Sequence, residues 1–203
     1  MKRPFSNGTS PATRSRILDA TLDLATVTGL RKFSMEEIAR RARMGRATLY
    51  LYFSGRDALI AALVEAELTK YFNQIKAVVD TQSDNDERLI HGFAQAYRGL
   101  RDHTALRTVL KLNPELLQPY LGAENSPALA LATTFVEAQL RIEPNVPEAD
   151  RLRFAEHIAR TVHSLILIPG GVLDLDSPQG PENYARQFLL PIKNHLVAGL
   201  TTN

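Results

Sequence analysis

The sequence predicts an all-α protein, and three of its features indicate that class. After Pro4 and Pro11 the next proline is Pro114, so a long stretch contains no proline to break a helix. Apolar residues in that stretch recur at helical spacing. No segment alternates polar with apolar residues, and no Asn-Gly or Asp-Gly turn lies between two such segments. We expect about nine helices, with a short three-helix unit followed by a larger helical body.

The first helix is predicted to begin at Ser10 and to end at Gly29. Serine is a preferred N-cap residue and Pro11 suits the first helical turn, whereas glycine commonly ends a helix. The apolar face has the spacing of one helix side and comprises Ile17, Leu18, Thr21, Leu24 and Ala25.

Two short helices are predicted next, joined by a tight turn. Ser34 and Glu37 form a capping box that opens a helix ending near Ala42. We expect Gly45 to supply the turn, and a second short helix to cover about residues 46–53. Two short helices joined by a glycine-containing turn are typical of a helix-turn-helix.

The remaining helices form the predicted body. Ser54 and Asp57 repeat the start signal before a long helix that ends near Asp80. Pro191 lies inside the last predicted helix and is expected to kink it. Further helices are predicted at about 86–102, 104–112, 126–142, 147–168 and 181–198, with a possible short turn at 115–120. The predicted division is a flexible N-terminal arm at 1–12, a helix-turn-helix domain at 13–55 and a ligand-binding and dimerisation domain at 56–203.

Charge is distributed unevenly along the chain. Residues 1–60 hold eleven Lys and Arg against five Asp and Glu, a net charge of +6. Residues 61–203 hold thirteen against seventeen, a net charge of −4. This asymmetry indicates that the N-terminal third meets a polyanion and that the body does not.

Composition also limits the location and the chemistry. The absence of cysteine excludes a disulfide scaffold and thiolate metal sites. No secretory signal is visible at the N-terminus, and the longest charge-free apolar run, 161–173, is too short for a bilayer and is interrupted at Pro169. We expect a soluble, cytoplasmic protein without a cofactor or metal.

The second short helix has a face suited to DNA. Because each residue advances roughly 100° around a helix, Leu49 and Phe53 share the face that packs inward, while Ala47 and Leu51 lie opposite. The flanks carry hydroxyl groups on Thr48, Tyr50 and Tyr52, which can donate to phosphates on both walls of a major groove. The alternative is a surface-exposed amphipathic helix pair, which does not explain flanking hydroxyls with no acid among them.

These residues resemble the N-terminal DNA-binding domain of the TetR family of bacterial transcriptional regulators. The resemblance covers about residues 13–62, and its most specific part is the Thr-Leu-Tyr-x-Tyr-Phe run at 48–53. The matching positions are Gly29, 34–39, Gly45, 47–53 and 56–59.

The resemblance implies a role for each matching residue. Thr48 and Tyr50 match positions that hold DNA phosphates, Tyr52 matches one that touches backbone or a base, and Arg56 matches a basic phosphate contact. The position between the tyrosines often carries a polar base reader and here is Leu51. Glu36 stands where some members have a base-reading arginine. The DNA-binding candidates are therefore Ser34, Arg43, Arg46, Ala47, Thr48, Tyr50, Leu51, Tyr52 and Arg56.

Base recognition is accordingly predicted to be partly apolar. Our hypothesis is that Ala47 and Leu51 contact thymine methyl groups, with Arg43 or Arg46 supplying a guanine contact.

A dimer is expected because one helix-turn-helix reads few base pairs, and two related by symmetry read a palindrome. The last two long helices carry apolar stripes, and the family usually pairs them with their twofold mates. Each stripe also contributes to the intramolecular core. The interface candidates are Leu152, Ala155, Ile158, Val162, Leu165, Ile166, Tyr184, Phe188, Ile192 and Leu196.

The resemblance further implies an effector pocket in the body, whose occupation moves the recognition helices. Bulky or mixed apolar and polar residues on the middle helices suggest an apolar or aromatic ligand, although any one of them is more often ordinary core. The candidates are Phe93, Tyr97, Leu110, Leu117, Tyr120, Phe135, Gln139 and His163.

Two other classes of function compete with this interpretation. The histidines are scattered, and the sequence contains no H-E-x-x-H, G-x-S-x-G, P-loop or G-x-G-x-x-G motif, so we do not expect an enzyme. An architectural DNA-binding protein without an effector is the alternative, and it predicts weak sequence preference. We expect a ligand-responsive repressor that binds a palindromic operator as a homodimer.

Overall fold

The computed structural model describes residues 10–31, 33–118, 126–140 and 146–198, and it confirms the all-α prediction. Within those residues the chain forms nine helices and no strand. The ninth is a continuous helical run of three segments, Gly180–Tyr184, Ala185–Leu189 and Leu190–Ala198. The other eight are α1 (Pro11–Thr28), α2 (Met35–Arg41), α3 (Arg46–Tyr52), α4 (Arg56–Asp80), α5 (Asn85–Arg101), α6 (Thr104–Leu112), α7 (Pro127–Leu140) and α8 (Glu148–Leu167); a single 3-10 turn, Pro114–Leu116, follows α6.

The chain forms two compact units. The first contains the residues up to Leu68 together with the separate segment Thr104–Leu116. The second contains Thr69–His103 and the chain from Leu117 onward. The sequence predicted a boundary near residue 55 and assigned everything after it to the body, whereas the first compact unit also includes part of α4 and all of α6.

The core of the first unit joins all of its N-terminal helices. Ile17 of α1, Ile38 of α2, Leu49 of α3 and Leu59 of α4 are each completely buried. Of the two hydrogen bonds of the predicted capping box, the structure shows the one in which Ser34 Oγ accepts from the Glu37 amide, at 3.1 Å. Side-chain burial of this extent holds helices that are too short to be stable in isolation.

The turn between α2 and α3 is made differently from the prediction. Arg43 occupies the left-handed region at φ 54°, the only such non-glycine residue among those described. Its amide donates to the Arg40 carbonyl and the Met44 amide donates to the Ala39 carbonyl, the two bonds of a Schellman motif. Gly45 is extended at φ −72° and is the N-cap of α3. The turn therefore depends on Arg43, and the prediction that Gly45 supplies it is wrong.

The core of the second unit lies between α5, α8 and the ninth helix, α9. Ile90, Phe154 and Leu189 are buried there. Arg88, only 3 % exposed, lies beside this core and donates to the carbonyls of Val79 and Gln139 at 2.9 and 3.3 Å. The guanidinium thereby ties together the C-terminal ends of α4 and α7, where helix carbonyls have no amide partner four residues later in the same helix.

Pro191 interrupts the regular pattern of α9. The segment Ala185–Leu189 is a π-helix, and the Leu190 amide donates to the Ala185 carbonyl five residues before it. Proline lacks an amide hydrogen and its ring crowds the carbonyl four residues earlier, so a wider turn relieves the conflict.

Two glycines of the first unit differ in what their positions require. Gly29 has φ 70°, and a Cβ there would lie 2.4 Å from Asn113 Oδ1. A Cβ on Gly45 would meet only Thr48 Oγ1, at 3.8 Å. We expect Gly29→Ala to destabilise the protein by at least about 1–2 kcal/mol, because of both strain and the clash.

Gly45→Ser is the matched control for that substitution. Serine is a better N-cap than glycine and restricts the unfolded chain, so stability should be unchanged or rise by roughly 0.5 kcal/mol. Thermal denaturation of the full chain at one protein concentration checks both variants. Equal destabilisation by the two substitutions would contradict the different conformations of these glycines.

Acid should weaken an ion pair of the second unit. Arg98 donates two hydrogen bonds of 2.6 Å to Glu182, and this holds the pKa of the Glu182 carboxyl below its ordinary value. Because the pKa of Glu182 is lower in the folded protein than in the unfolded chain, its ionised carboxylate stabilises the fold above about pH 5. That stabilisation is lost as pH falls through the folded-state pKa. We expect Glu182→Gln to lower the thermal midpoint at pH 7 and to lower it less at pH 3.

The exposed Glu156–Arg160 pair of α8 provides the control. Glu156→Gln should change the midpoint little at either pH, because solvent screens such pairs. A Glu182→Gln effect of the same size at pH 7 and pH 3 would show that the charge of Glu182 does not contribute.

Candidate nucleic-acid interface

The exposed face of α3 is apolar at its centre. Leu51 is 76 % exposed, and Ala47, one turn earlier, is also exposed. Leu49 and Phe53 are buried on the other side of the helix. Burying these two side chains fixes the rotation of α3, and that rotation leaves Leu51 facing solvent.

Polar and charged groups surround this apolar centre. Arg46 begins α3 and Tyr50 follows one turn later, with the Arg46 guanidinium 5.6 Å from the centre of the Tyr50 ring. This cation–π contact gives Arg46 a preferred direction. Tyr50 is 42 % exposed and Thr48 is half-buried. α3 itself contains no acidic residue, so its outer face carries positive charge and hydroxyl groups around Leu51.

Helix α1 holds the helix-turn-helix at two points. The Ser10 amide donates to the Tyr52 hydroxyl at 2.8 Å, which joins the start of α1 to the end of α3. Arg16 Nη2 donates to the Ala42 carbonyl at 2.6 Å and so caps the C-terminus of α2. The Tyr52 hydroxyl thus has an internal partner, although its own proton can still be donated to DNA.

Arg56 is directed into the unit. Its Nη2 donates to the Leu30 carbonyl, and its guanidinium lies 5.1 Å from the centre of the Phe33 ring. The family resemblance implies a phosphate contact for Arg56. In the structure this side chain instead links the start of α4 to the turn between α1 and α2, which corrects that expectation.

The remaining candidates lie around the start of α2 and the turn before α3. Ser34 is exposed, but its hydroxyl oxygen already caps α2. Arg43 is exposed in the left-handed position of the turn. The structure therefore brings Arg43, Arg46, Ala47, Tyr50 and Leu51 to the surface of one helix-turn-helix.

The effector candidates are divided between the two units. Leu110 lies on α6, which belongs to the first unit. Phe93, Tyr97 and Leu117 are buried in the second unit. Phe135, Gln139 and His163 are partly buried there, and Tyr120 lies outside the described residues.

His163 is unusual among these candidates. Its Nε2 atom is buried and has no hydrogen-bond partner among the described residues. Burial lowers the pKa of His163, which favours the neutral imidazole near pH 7. A buried imidazole nitrogen without a partner can accept a hydrogen bond from a bound molecule or donate one to it, depending on the tautomer.

The interface candidates separate by exposure. Leu152, Phe188 and Ile192 are each about two-fifths exposed. Four others, Leu165, Ile166, Tyr184 and Leu196, are partly buried against the core of the second unit. Ala155, Ile158 and Val162 are buried within the chain, with at most 6 % of each side chain exposed. They belong to the core and have little surface left for a second copy, which corrects their assignment to an interface.

Sequence reasoning missed two residues whose side chains bond to backbone groups of the first unit, Arg16 and Asn113. Arg16 lies on the exposed side of α1 and its partner is a backbone carbonyl, so no side-chain motif indicates it. Asn113 is 82 residues from its partner Arg31. Its position after the last turn of a helix was the one available signal, and that signal does not identify what it contacts.

No helix in the described part of the chain has both the length and the apolar character needed to cross a bilayer. In residues 10–31, 33–118, 126–140 and 146–198, no three His, Asp or Glu side chains are grouped so as to hold a metal ion.

Known proteins resemble this chain both in sequence and in fold. Residues 17–63 match the family model described as bacterial regulatory proteins, tetR family. An uncharacterised HTH-type transcriptional regulator of Mycobacterium tuberculosis, Rv1255c, is 30% identical over 155 residues, which cover 76% of this chain and 75% of that protein. The uncharacterised HTH-type regulator YvdT of Bacillus subtilis is 38% identical over 69 residues, or 34% of this chain and 36% of that protein.

Among solved structures, the TetR family repressor AlkX from Dietzia sp. has a TM-score of 0.65 at 22% identity, covering 93% of this chain and 96% of AlkX. A transcriptional regulator from Rhodococcus sp. has a TM-score of 0.59 at 20% identity, with 92% and 96% covered. These two structures share the fold over nearly the whole chain. The match to the tetR family model and the 30% identity to the mycobacterial regulator over three-quarters of both chains show that this chain belongs to the TetR family of bacterial transcriptional regulators.

Proposed function

We propose that this regulator represses transcription by binding a palindromic operator as a homodimer and that a small apolar or aromatic effector releases it. The observation that carries the proposal is the outer face of α3. There Leu51 is exposed at the centre of a helix that carries Arg46 and Tyr50 and no acidic residue. An exposed leucine in that position costs free energy in water unless a partner covers it.

A major groove is a partner with the matching chemistry. Leu51 and Ala47 can pack against thymine methyl groups, which only the major groove presents. Arg46, directed by Tyr50, can reach a guanine, while hydroxyls of Thr48 and Tyr50 donate to phosphates. Arg43 stands at the adjacent turn as a second candidate for guanine or phosphate.

Exposure in the second unit supports the homodimer. Leu152, Phe188 and Ile192 are large apolar side chains on α8 and α9 that the chain itself leaves partly uncovered. A symmetric dimer would cover them and present two copies of α3 to the two halves of a palindrome.

Support for an effector comes from His163. Its buried Nε2 lacks a partner, and Phe135 on α7 offers a partly buried aromatic ring in the same unit. A site that contained both residues would be mostly apolar with one polar group, which suits a ligand with few charges.

Sequence-specific binding is tested with the DNA upstream of the protein's own gene. At physiological salt we expect this DNA to be bound at least about a thousandfold more tightly than random DNA of equal length, as in other specific regulators. Electrophoretic mobility shift measures both affinities. Equal affinities would favour an architectural DNA-binding protein over a repressor.

Leu51→Ala should relax the choice of sequence. Each thymine contact that is lost should reduce discrimination at that base pair by roughly 1 kcal/mol, while binding to random DNA stays nearly unchanged. Binding to operator variants with single base substitutions measures the change. Val27→Ala is the matched control, because Val27 is an equally exposed apolar residue on α1. An unaltered preference in Leu51→Ala would remove Leu51 from the recognition surface.

Effector binding is tested by a thermal-shift screen with hydrophobic small molecules. A compound that raises the thermal midpoint should also lower operator affinity, since coupling between two binding sites is reciprocal. A stabilising compound that leaves operator affinity unchanged would argue against regulation through that site.

A further inference from the structure

The turn between α1 and α2 is held by two side chains from distant parts of the sequence. The Arg31 amide donates to Asn113 Oδ1 at 3.2 Å, and the neighbouring Leu30 carbonyl accepts a hydrogen bond from Arg56. Both contacts involve backbone groups of the turn, so they fix the path of its main chain directly. Asn113 is contributed by the segment Thr104–Leu116, which joins the first unit from far along the chain.

Asn113 is itself rigidly oriented. It is 5 % exposed, and its backbone amide donates a hydrogen bond to the Val109 carbonyl at 2.7 Å, at the end of α6. Its Nδ2 donates to the Leu112 carbonyl at 2.6 Å, which leaves Oδ1 directed at Arg31. A buried side-chain amide whose oxygen and nitrogen are both hydrogen-bonded has one favourable orientation, since exchanging the two atoms by a 180° rotation would break both hydrogen bonds.

The turn is shaped to receive this side chain. Gly29 has φ 70°, and a Cβ there would come within 2.4 Å of Asn113 Oδ1. One turn earlier on α6, Thr108 Oγ1 donates to the Thr26 carbonyl at 3.0 Å, which satisfies a carbonyl in the last turn of α1. Thr108 of α6 and Asn113, the residue after that helix, therefore both contact the C-terminal end of α1 and the turn that follows it. The Asn113 contact requires glycine at position 29.

We infer that Asn113 is a positioning residue for DNA binding. α1 connects the Asn113 contact at its C-terminal end to Ser10 and Arg16, which hold Tyr52 and the α2 C-terminus. Fixing the turn after α1 therefore fixes the helix that orients α3. This inference rests on the proposed function of α3, and it assigns to the segment Thr104–Leu116 a part in how tightly the operator is held.

The test compares two substitutions in the full-length protein. Asn113→Ala removes the bond to the Arg31 amide. Glu115→Ala is the matched control, because Glu115 contacts the same Arg31 through an exposed ion pair of 3.7 Å and leaves the backbone bond intact. Operator DNA is selected from a random pool by the wild-type protein. Fluorescence anisotropy then gives the affinity of each variant for the operator and for random DNA, at a temperature where circular dichroism shows the fold to be intact.

We expect Asn113→Ala to lose about tenfold in affinity for the operator, the equivalent of one buried hydrogen bond, and much less for random DNA. Glu115→Ala should change either affinity less than about twofold. Hydrogen exchange at the Arg31 amide should accelerate in Asn113→Ala alone. A purely structural role would lower the thermal midpoint and leave the operator preference of the folded protein unchanged, and that result would overturn the inference.

A conservative variant completes the test. Asn113→Asp keeps an oxygen for the Arg31 amide but loses the Nδ2 donor to the Leu112 carbonyl, so it should be less stable than the wild type and yet retain more operator preference than Asn113→Ala. Equal loss of preference in the two folded variants, with the Arg31 amide still protected from exchange in the aspartate variant, would overturn the role of Oδ1. If the alanine variant does not fold, the aspartate variant decides alone: retained preference supports the inference, and preference lost while the Arg31 amide stays protected opposes it. A wild-type protein that selects no sequence from the pool would instead contradict the proposed function.

Discussion

A helix of seven residues does not persist by itself in water, and α2 and α3 are both of that length. Every property of the nucleic-acid interface depends on the contacts that compensate for this. Leu49 and Ile38 are completely buried, which anchors the two helices in the core of the first unit. Arg16 caps the end of α2, and Ser34 caps its beginning. The outer surface of α3 is thus defined by what its inner surface buries.

The same constraint explains why so many positioning contacts end on backbone groups. Short helices have few internal hydrogen bonds, so a large share of their carbonyls and amides lack partners within the helix. Arg16 donates to such a carbonyl at the end of α2, while Arg56 and Asn113 bond to the Leu30 carbonyl and the Arg31 amide in the turn before that helix. A cation that satisfies a carbonyl inside the unit is less available to phosphate, which is why Arg56 differs from its expected role.

In the second unit, arginine side chains likewise hold the ends of longer helices. Arg88 satisfies carbonyls at the ends of α4 and α7, while Arg98 holds Glu182 at the start of α9. Ile158 and Val162 are buried in its apolar core, so this part of the apolar stripe of α8 packs inside the unit. The large side chains that remain exposed, such as Phe188, are the ones consistent with a partner surface.

The sequence by itself determined the helices and the family. Apolar spacing, the Ser34 capping signal and the run at 48–53 depend on neighbouring residues, and local physical rules are sufficient to interpret them. Only the tertiary structure decided that Arg43, instead of Gly45, makes the turn, because the two bonds of the Schellman motif select the residue that must adopt positive φ. It also decided that Ala155 is interior and that Asn113 bonds to Arg31. Such contacts join residues far apart in sequence, and their energies depend on packing that local patterns do not contain.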